Sequence, residues 1–398
     1  MPGFLDALTP TTIANYARGA WDGVSINSWV LSQFKKNGTF VYDVGGDTLS
    51  GPIEAGRYLP QTSAPGMDIS AMFVPKVRHA RWNFTWGEKV NALAIDNGLL
   101  RRNSGDQALV RLKDTEIPAM YRDTIIGTGG LLYDILQQDA NAYTGAGLPI
   151  QGLPTFLHNV GATGLNGYNL ATKAATGSGP AATDKEVCAT ATSATYGGLS
   201  LAPNGLVNID AAQYDAWMPV MVNTKSSAWT STGNDAANAI ELVLMHLVQR
   251  LTRFNQNDPA LMPDVALLDE VYYRYLGAKK AAREQIFVMA NQKTPDVPDT
   301  GFEPIKGLYH AGQLWKWEYN MQASTAYLFN SRRAKFNVQP LYRNVVGEAP
   351  LSVSGEEAGL METSIMPDPY RRQWLVSATI PGQLVCEPRY FGCAREYA

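Results

Sequence analysis

Between Thr39 and Trp86 the chain carries turn-forming residues at intervals too short for a core to form: Gly45-Gly46, Gly51-Pro52, Gly56, Pro60, Pro65-Gly66 and Pro75. Proline and glycine at this density end helices and interrupt strands, so the stretch reads as an extended arm. It closes with Arg81-Trp82-Asn83-Phe84-Thr85-Trp86, where three aromatics alternate with polar residues at the period of a half-buried strand. A segment this long with so few clustered aliphatics is not a plain loop of a compact domain. It is either functional or held by something outside its own domain.

Composition narrows what that partner can be. The 398 residues are 45% hydrophobic and 17% charged, an ordered chain with fewer charges than the ~25% usual in globular proteins. The 9 Trp and 19 Tyr suit a surface that partners cover, because their rings are apolar with one polar edge. A net charge of -3 and a pI near 5.9 exclude an overall basic signature for nucleic acid or an anionic membrane. Any DNA contact is therefore expected to be local and weak. No window approaches the ~20 apolar residues of a membrane span, and Met1-Pro2-Gly3-Phe4 lacks the regions of a signal peptide. The expectation is an intracellular protein whose three cysteines, Cys188, Cys386 and Cys393, are reduced thiols.

Helical and strand periods alternate along the rest of the chain. Residues 1 to 38 read as an arm with short helical patches. Gly105 to Leu136 reads as one long helix that Pro118 kinks and that Gly127, Gly129 and Gly130 weaken. Gly161 to Gly205 is rich in Gly, Ala, Ser and Thr and reads as an irregular or weakly stranded insertion. Asn234 or Asp235 caps a helix whose Ile240, Val243, Leu244, Leu247, Val248 and Leu251 form one apolar stripe. Val265 to Leu268 reads as a buried strand before a second helix with Tyr272, Tyr275 and Leu276. After the proline-rich turn Thr294 to Pro304, alternation at Trp315 and Trp317, at Tyr327 and Phe329, and from Trp374 to Ile380 predicts strands. Helices in the middle and strands on both sides predict an α+β chain whose carboxy-terminal strands return to pair with its amino-terminal half.

Catalytic chemistry finds no support in the spacing. His79, His158, His246 and His310 make no metal-binding pattern, and His246 reads as a packed helix residue. There is no nucleophile elbow, P-loop or dinucleotide fingerprint, and Gly127-Thr128-Gly129-Gly130 lacks the Lys-Ser or Lys-Thr that phosphate binding requires. No catalytic residue, cofactor or metal is assigned.

The order of elements, together with Trp82 to Trp86, Asn97-Gly98, the Gly105 to Leu136 run, Ile150-Gln151-Gly152-Leu153, Pro263 to Leu268, Tyr327 to Asn330 and Gln383 to Arg389, resembles the major capsid proteins of tailed bacteriophages, the HK97-like capsid fold. The resemblance implies an amino-terminal arm (1–38), an extended E-loop hairpin (39–85), a peripheral domain with the spine helix (86–145), an axial domain (146–324) and returning strands of both domains (325–398). It also implies intersubunit contacts from Ile53, Arg57, Tyr58, Leu59, Met67, Ile69, Met72 and Phe73, and a spine hinge at Pro118, Gly127, Gly129 and Gly130.

The resembled function is self-assembly into hexamers and pentamers of an icosahedral head around double-stranded DNA. Implied partners are further copies of the chain, a portal, a separate scaffolding protein and weakly held packaged DNA, with no membrane. The implied location is the virion, assembled in the host cytoplasm. Two other readings remain open on sequence alone: another virion structural protein, such as a decoration or tail-tube subunit, and a cytoplasmic hydrolase using carboxylates.

Overall fold

The computed structural model describes residues 33–34, 37–42, 44–54, 79–96, 150–157, 165–169, 174–176, 180–189, 195–203, 217–229, 236–252, 259–288, 307–318, 321–339, 341–343, 351–353, 362–367, 370–371 and 373–397. Strands β1 (Phe40–Val41), β2 (Thr48–Glu54), β3 (His79–Thr85) and β4 (Gly87–Asp96) precede a single helical turn, α1 (Pro154–Leu157). Short strands β5 (Leu165–Asn169), β6 (Ala174–Ala175), β7 (Glu186–Ala189), β8 (Thr195–Tyr196), β9 (Leu199–Ser200) and β10 (Val220–Asn223) follow. Helix α2 (Ala236–Thr252), strand β11 (Val265–Leu268) and helix α3 (Glu270–Val288) come next. The described strands after α3 are β12 (Leu308–His310), β13 (Gln313–Trp317), β14 (Thr325–Phe329), β15 (Ala334–Val338), β16 (Leu341–Arg343), β17 (Leu351–Val353), β18 (Glu362–Pro367), β19 (Gln373–Cys386) and β20 (Phe391–Arg395). The chain alternates between two units, the first made of Met1–Leu49, Thr85–Thr155 and Ser331–Cys386, the second of Ser50–Phe84, Phe156–Asn330 and Glu387–Ala398.

The first unit is organised by β19, whose 14 residues extend about 46 Å at the usual strand rise. Along one edge β4 pairs antiparallel from Gln373↔Asp96 to Gly382↔Gly87. Along the other edge β18 pairs as far as Thr379↔Glu362, and β15 takes over at Gly382↔Val338. Pro381 sits at this changeover. Its carbonyl accepts the Gln339 N–H at 3.4 Å, so its missing N–H falls on the same edge, where neither ladder needs a donor. Parallel to β15 runs β1, with Phe40 opposite Phe336 and the two rings 5.8 Å apart. The expected return of late strands to the amino-terminal half is thus made by β19 on β4 and by β15 on β1. On β4 the exposed residues Glu88, Val90, Ala92 and Ala94 alternate with half-buried Lys89, Asn91 and Leu93, as one bare and one covered face require.

A nine-stranded mixed sheet forms the second unit, in the order β12-β13-β11-β14-β20-β10-β7-β5-β6. The α2 stripe predicted from the sequence packs on one face: Ile240, Val243, Leu244, Leu247 and Leu251 are all buried. Gly392 on β20 lets the helix settle, since a Cβ there would stand 2.6 Å from Leu247 Cδ1. Tyr272 and Leu276 of α3 complete this layer. The helix is capped by Asp269, whose carboxylate accepts the N–H groups of Val271 at 3.1 Å and Tyr272 at 3.0 Å. All five residues of β14 are buried, so the Tyr327 and Phe329 alternation marks two covered faces instead of one wet and one dry. Asn330 then donates from Nδ2 to the carbonyls of Ala260 and Met262, both at 2.9 Å, fastening the loop before β11.

The described residues of 161–205, expected to be irregular or weakly stranded, include short strands β5 and β7, which are inner strands of the nine-stranded sheet, paired at Leu165↔Ala189. Small residues suit them because neighbours press close; a Cβ on Gly167 would fall 1.8 Å from Asp184 Oδ2. Phe40–Val41, at the start of the expected extended segment, is a strand of the first unit's sheet. The helix cap at Asn234 or Asp235 and the run from Gly105 to Leu136 lie outside the described residues.

Candidate assembly arm and its anchor

The two legs of the extended segment, β2 and β3, pair with each other. Their contact is close because Gly51 has no side chain: a Cβ there would lie 2.4 Å from Cζ2 of Trp82. Across the legs Arg81 donates from Nη2 to Ser50 Oγ at 2.6 Å. At the β2 end the indole N–H of Trp86 donates to the Gly46 carbonyl at 2.6 Å. Burial along β3 alternates as the aromatic spacing requires, with Phe84 only 2% exposed.

Phe84 starts a chain of rings that runs into the second unit's sheet. It meets Tyr196 at 4.7 Å and 65°. Tyr196 lies 4.6 Å from Phe156, and Phe156 lies 5.5 Å from Phe391. Phe391 stacks on its cross-strand partner Phe329 at 4.9 Å. Edge-to-face and offset contacts of this kind add roughly 0.5 to 1.5 kcal/mol each beyond area burial. The small β8–β9 hairpin holds the central ring, and its turn residues Gly197 and Gly198 have φ of 59° and 76°, the backbone of a type I′ turn. Trp217 secures the same place by donating Nε1 to the Tyr196 carbonyl at 2.9 Å.

Of the contact residues expected from the sequence, Ile53 is the one among the described residues, and it is only 6% exposed. Its burial comes from its own chain, so it does not wait for a neighbour. Arg57, Tyr58, Leu59, Met67, Ile69, Met72 and Phe73 lie outside the described residues, as do Pro118, Gly127, Gly129 and Gly130. The hairpin at Tyr196 and Gly197 is not among the sequence expectations, although Tyr-Gly-Gly-Leu is a legible hairpin signal. It was hidden in the small-residue composition around it.

Ionisable groups are arranged for structure. Among the described residues no cluster of three or more His, Cys, Asp or Glu could hold a metal, and no helix is long and apolar enough to cross a membrane. Cys188, Cys386 and Cys393 are buried thiols outside any disulfide, and burial pushes the Cys393 thiol up to about 12. Glu318, 8% exposed, is pushed by burial up to about 7. Its backbone N–H bonds the Leu268 carbonyl, which fixes it at the end of the parallel β11–β13 pair. His246 is indeed part of α2 but also touches Glu186.

No family model matches the chain, and no curated protein matches it in sequence. Its fold does have solved relatives. The capsid subunit of cyanophage A-1(L) covers 89% of this chain with 90% of its own, at TM-score 0.50 and 12% identity. This is the HK97 capsid fold. The capsid of phage XM1 is similar over 91% of each chain at 10% identity and TM-score 0.42. The SrpI encapsulin of Synechococcus elongatus is similar over 91% of this chain and 86% of its own, at 8% identity and TM-score 0.39.

Proposed function

We propose that this chain is the major capsid protein of a tailed bacteriophage, assembling with itself as hexamers and pentamers into an icosahedral head around double-stranded DNA. The observation that carries the reading is the fold shared with the A-1(L) capsid subunit over nearly the whole of both chains. In this reading the β2–β3 hairpin is the root of the E-loop, which reaches a neighbouring copy beyond Glu54 and before His79. The first unit acts as the peripheral domain and the second as the axial domain. Residues 1–38 are the amino-terminal arm. Arg57, Tyr58, Leu59, Met67, Ile69, Met72 and Phe73 supply intersubunit contact, and Pro118, Gly127, Gly129 and Gly130 let the spine bend during shell expansion.

The role is structural and non-enzymatic, without a cofactor. A portal and a separate scaffolding protein are the further partners, and the packaged DNA is held weakly because the net charge of -3 offers no basic excess. Assembly takes place in the host cytoplasm and the product is the virion. Electron microscopy of the purified chain, alone and with a co-expressed scaffold, tests the proposal. Closed shells are expected; tubes would favour a tail component, and monomers under both conditions would overturn the capsid reading.

A further inference from the structure

Glu186, the first residue of β7, holds one carboxylate oxygen between two side chains of α2. Oε1 lies 2.6 Å from His246 Nε2 and 2.7 Å from Arg250 Nε. His246 and Arg250 are four residues apart, hence neighbours on one face of the helix. The side chains of Glu186 and Arg250 are 4% and 5% exposed, and that of His246 is 20% exposed. Aromatic rings flank the group on both sides. Trp229 stands edge-on to His246 at 5.2 Å, and Lys185 Nζ lies over the Trp229 ring, 4.8 Å from its centroid. The Arg250 guanidinium lies 5.9 Å from the Tyr168 ring on β5.

The apolar stripe of α2 rests on β10, β14 and β20, so this cluster is the helix's polar tie to β7, further out in the sheet. We infer that Glu186, His246 and Arg250 form an acid-released clip, in which protonation of Glu186 frees the carboxy-terminal half of α2 from β7. The titratable and charged groups that meet Glu186 are His246 and Arg250 from α2, with Tyr168 of β5 beside the Arg250 guanidinium and Lys185 over the Trp229 ring. Strand β10 contributes only Val220, Met221, Val222 and Asn223. Asp184, two residues earlier, accepts the Ala181 N–H at 2.8 Å. Glu241, more than a turn earlier on α2, meets His310 through its backbone carbonyl.

A protonated Glu186 removes the anion that His246 Nε2 and Arg250 Nε both meet, and takes that counter-charge from the buried Arg250 guanidinium. Removing one partner of a buried charge cluster is far more disruptive than removing an exposed one. Burial alone raises the Glu186 carboxyl, but the His246 hydrogen bond and the Arg250 charge outweigh it and hold the group below its ordinary 4.5. A depressed carboxyl stabilises the fold above the unfolded value and loses that contribution as the pH falls below it. The clip is therefore closed at neutral pH and weakens progressively as the pH falls below the carboxyl's ordinary 4.5.

Hydrogen exchange of the full chain at pH 7 and pH 3.5, expressed as protection factors, tests the clip. Amides from Met245 to Thr252 should lose protection at the lower pH, by up to about tenfold, while those of Glu270 to Lys280 in α3 keep theirs. Glu186→Gln should show the low α2 protection already at pH 7 and no further acid loss. His246→Gln, which keeps the Arg250 pair, should retain an acid loss. Equal losses in α2 and α3 of the unmodified chain, or an unmodified acid loss in Glu186→Gln, would overturn the inference.

Discussion

The backbone N–H of Asn83 donates to the carbonyl of Gly197 at 2.9 Å, and this bond ties the extended hairpin to the β8–β9 turn. Gly197 serves it twice, by adopting φ of 59° and by leaving room for the Phe84 ring, whose Cζ would lie 2.7 Å from a Cβ. The arm is therefore rooted by a glycine in a different part of the sequence.

Replacing Gly197 by Ala combines a left-handed backbone with a clash against Phe84. The expected cost is on the order of 2 kcal/mol or more, read as a lower midpoint in thermal or denaturant unfolding. An unchanged midpoint would mean that the Phe84 anchor does not contribute to stability.

Leu49 and Ile53 are buried within the chain, so a deletion that tests the arm begins after Glu54. Substituting a short Gly-Ser linker for residues 55–78 should leave a soluble protein with one cooperative transition that forms no closed particles. Normal shells from this variant would remove the arm from the assembly reading. Aggregation of an unfolded chain would instead make the segment part of the fold.

Glu318 sets a pH dependence of the opposite sign to Glu186. Its folded value, about 7, is above the ordinary 4.5 because burial disfavours the charge. Stability is full below 4.5 and falls as the pH rises through 7. Glu318→Gln should be more stable than the unmodified chain at pH 8, by up to about 3 kcal/mol, with the advantage disappearing by pH 4.5. Equal stability at pH 8 would show that the carboxylate is better solvated than its burial implies.

The three thiols should be silent in the native protein. Cys188, Cys386 and Cys393 are each 0% exposed, and a thiol held near 12, as Cys393 is, supplies almost no thiolate at neutral pH. A thiol reagent such as an aromatic disulfide should react only as the chain unfolds, and non-reducing electrophoresis should show monomer. Fast stoichiometric labelling without denaturant would contradict the packing described.

A stabilising change is available at the tip of β12–β13. Ala311 occupies the first position of its two-residue turn with φ of 52°, followed by Gly312 at 79°. Ala311→Gly or Ala311→Asn relieves that strain and should stabilise by roughly 1 kcal/mol, seen as a raised unfolding midpoint. A lowered midpoint would mean that the alanine methyl packs usefully in this turn.

Periodicity alone determined the elements whose partners are local. The α2 stripe from Ile240 to Leu251, the strand Val265–Leu268 before α3, and the aromatic alternation at Trp82 and Phe84 follow from 3.6- and 2-residue repeats, because one apolar face must be covered whatever covers it. The order of such elements was also enough to suggest the α+β class and the HK97 fold. Tertiary structure alone decided which distant residues meet. Nothing local in Glu186 points to His246 and Arg250, some 60 residues later, and nothing in Ile53 distinguishes burial in its own chain from burial on a neighbour. The small residues of 161–205 look like loop by composition, yet Gly167 and Gly197 are there because side chains from elsewhere occupy the space a Cβ would need. Sequence patterns record the faces that must be hidden; the identity of what hides them is a property of chain topology, where contacts separated by tens or hundreds of residues are made.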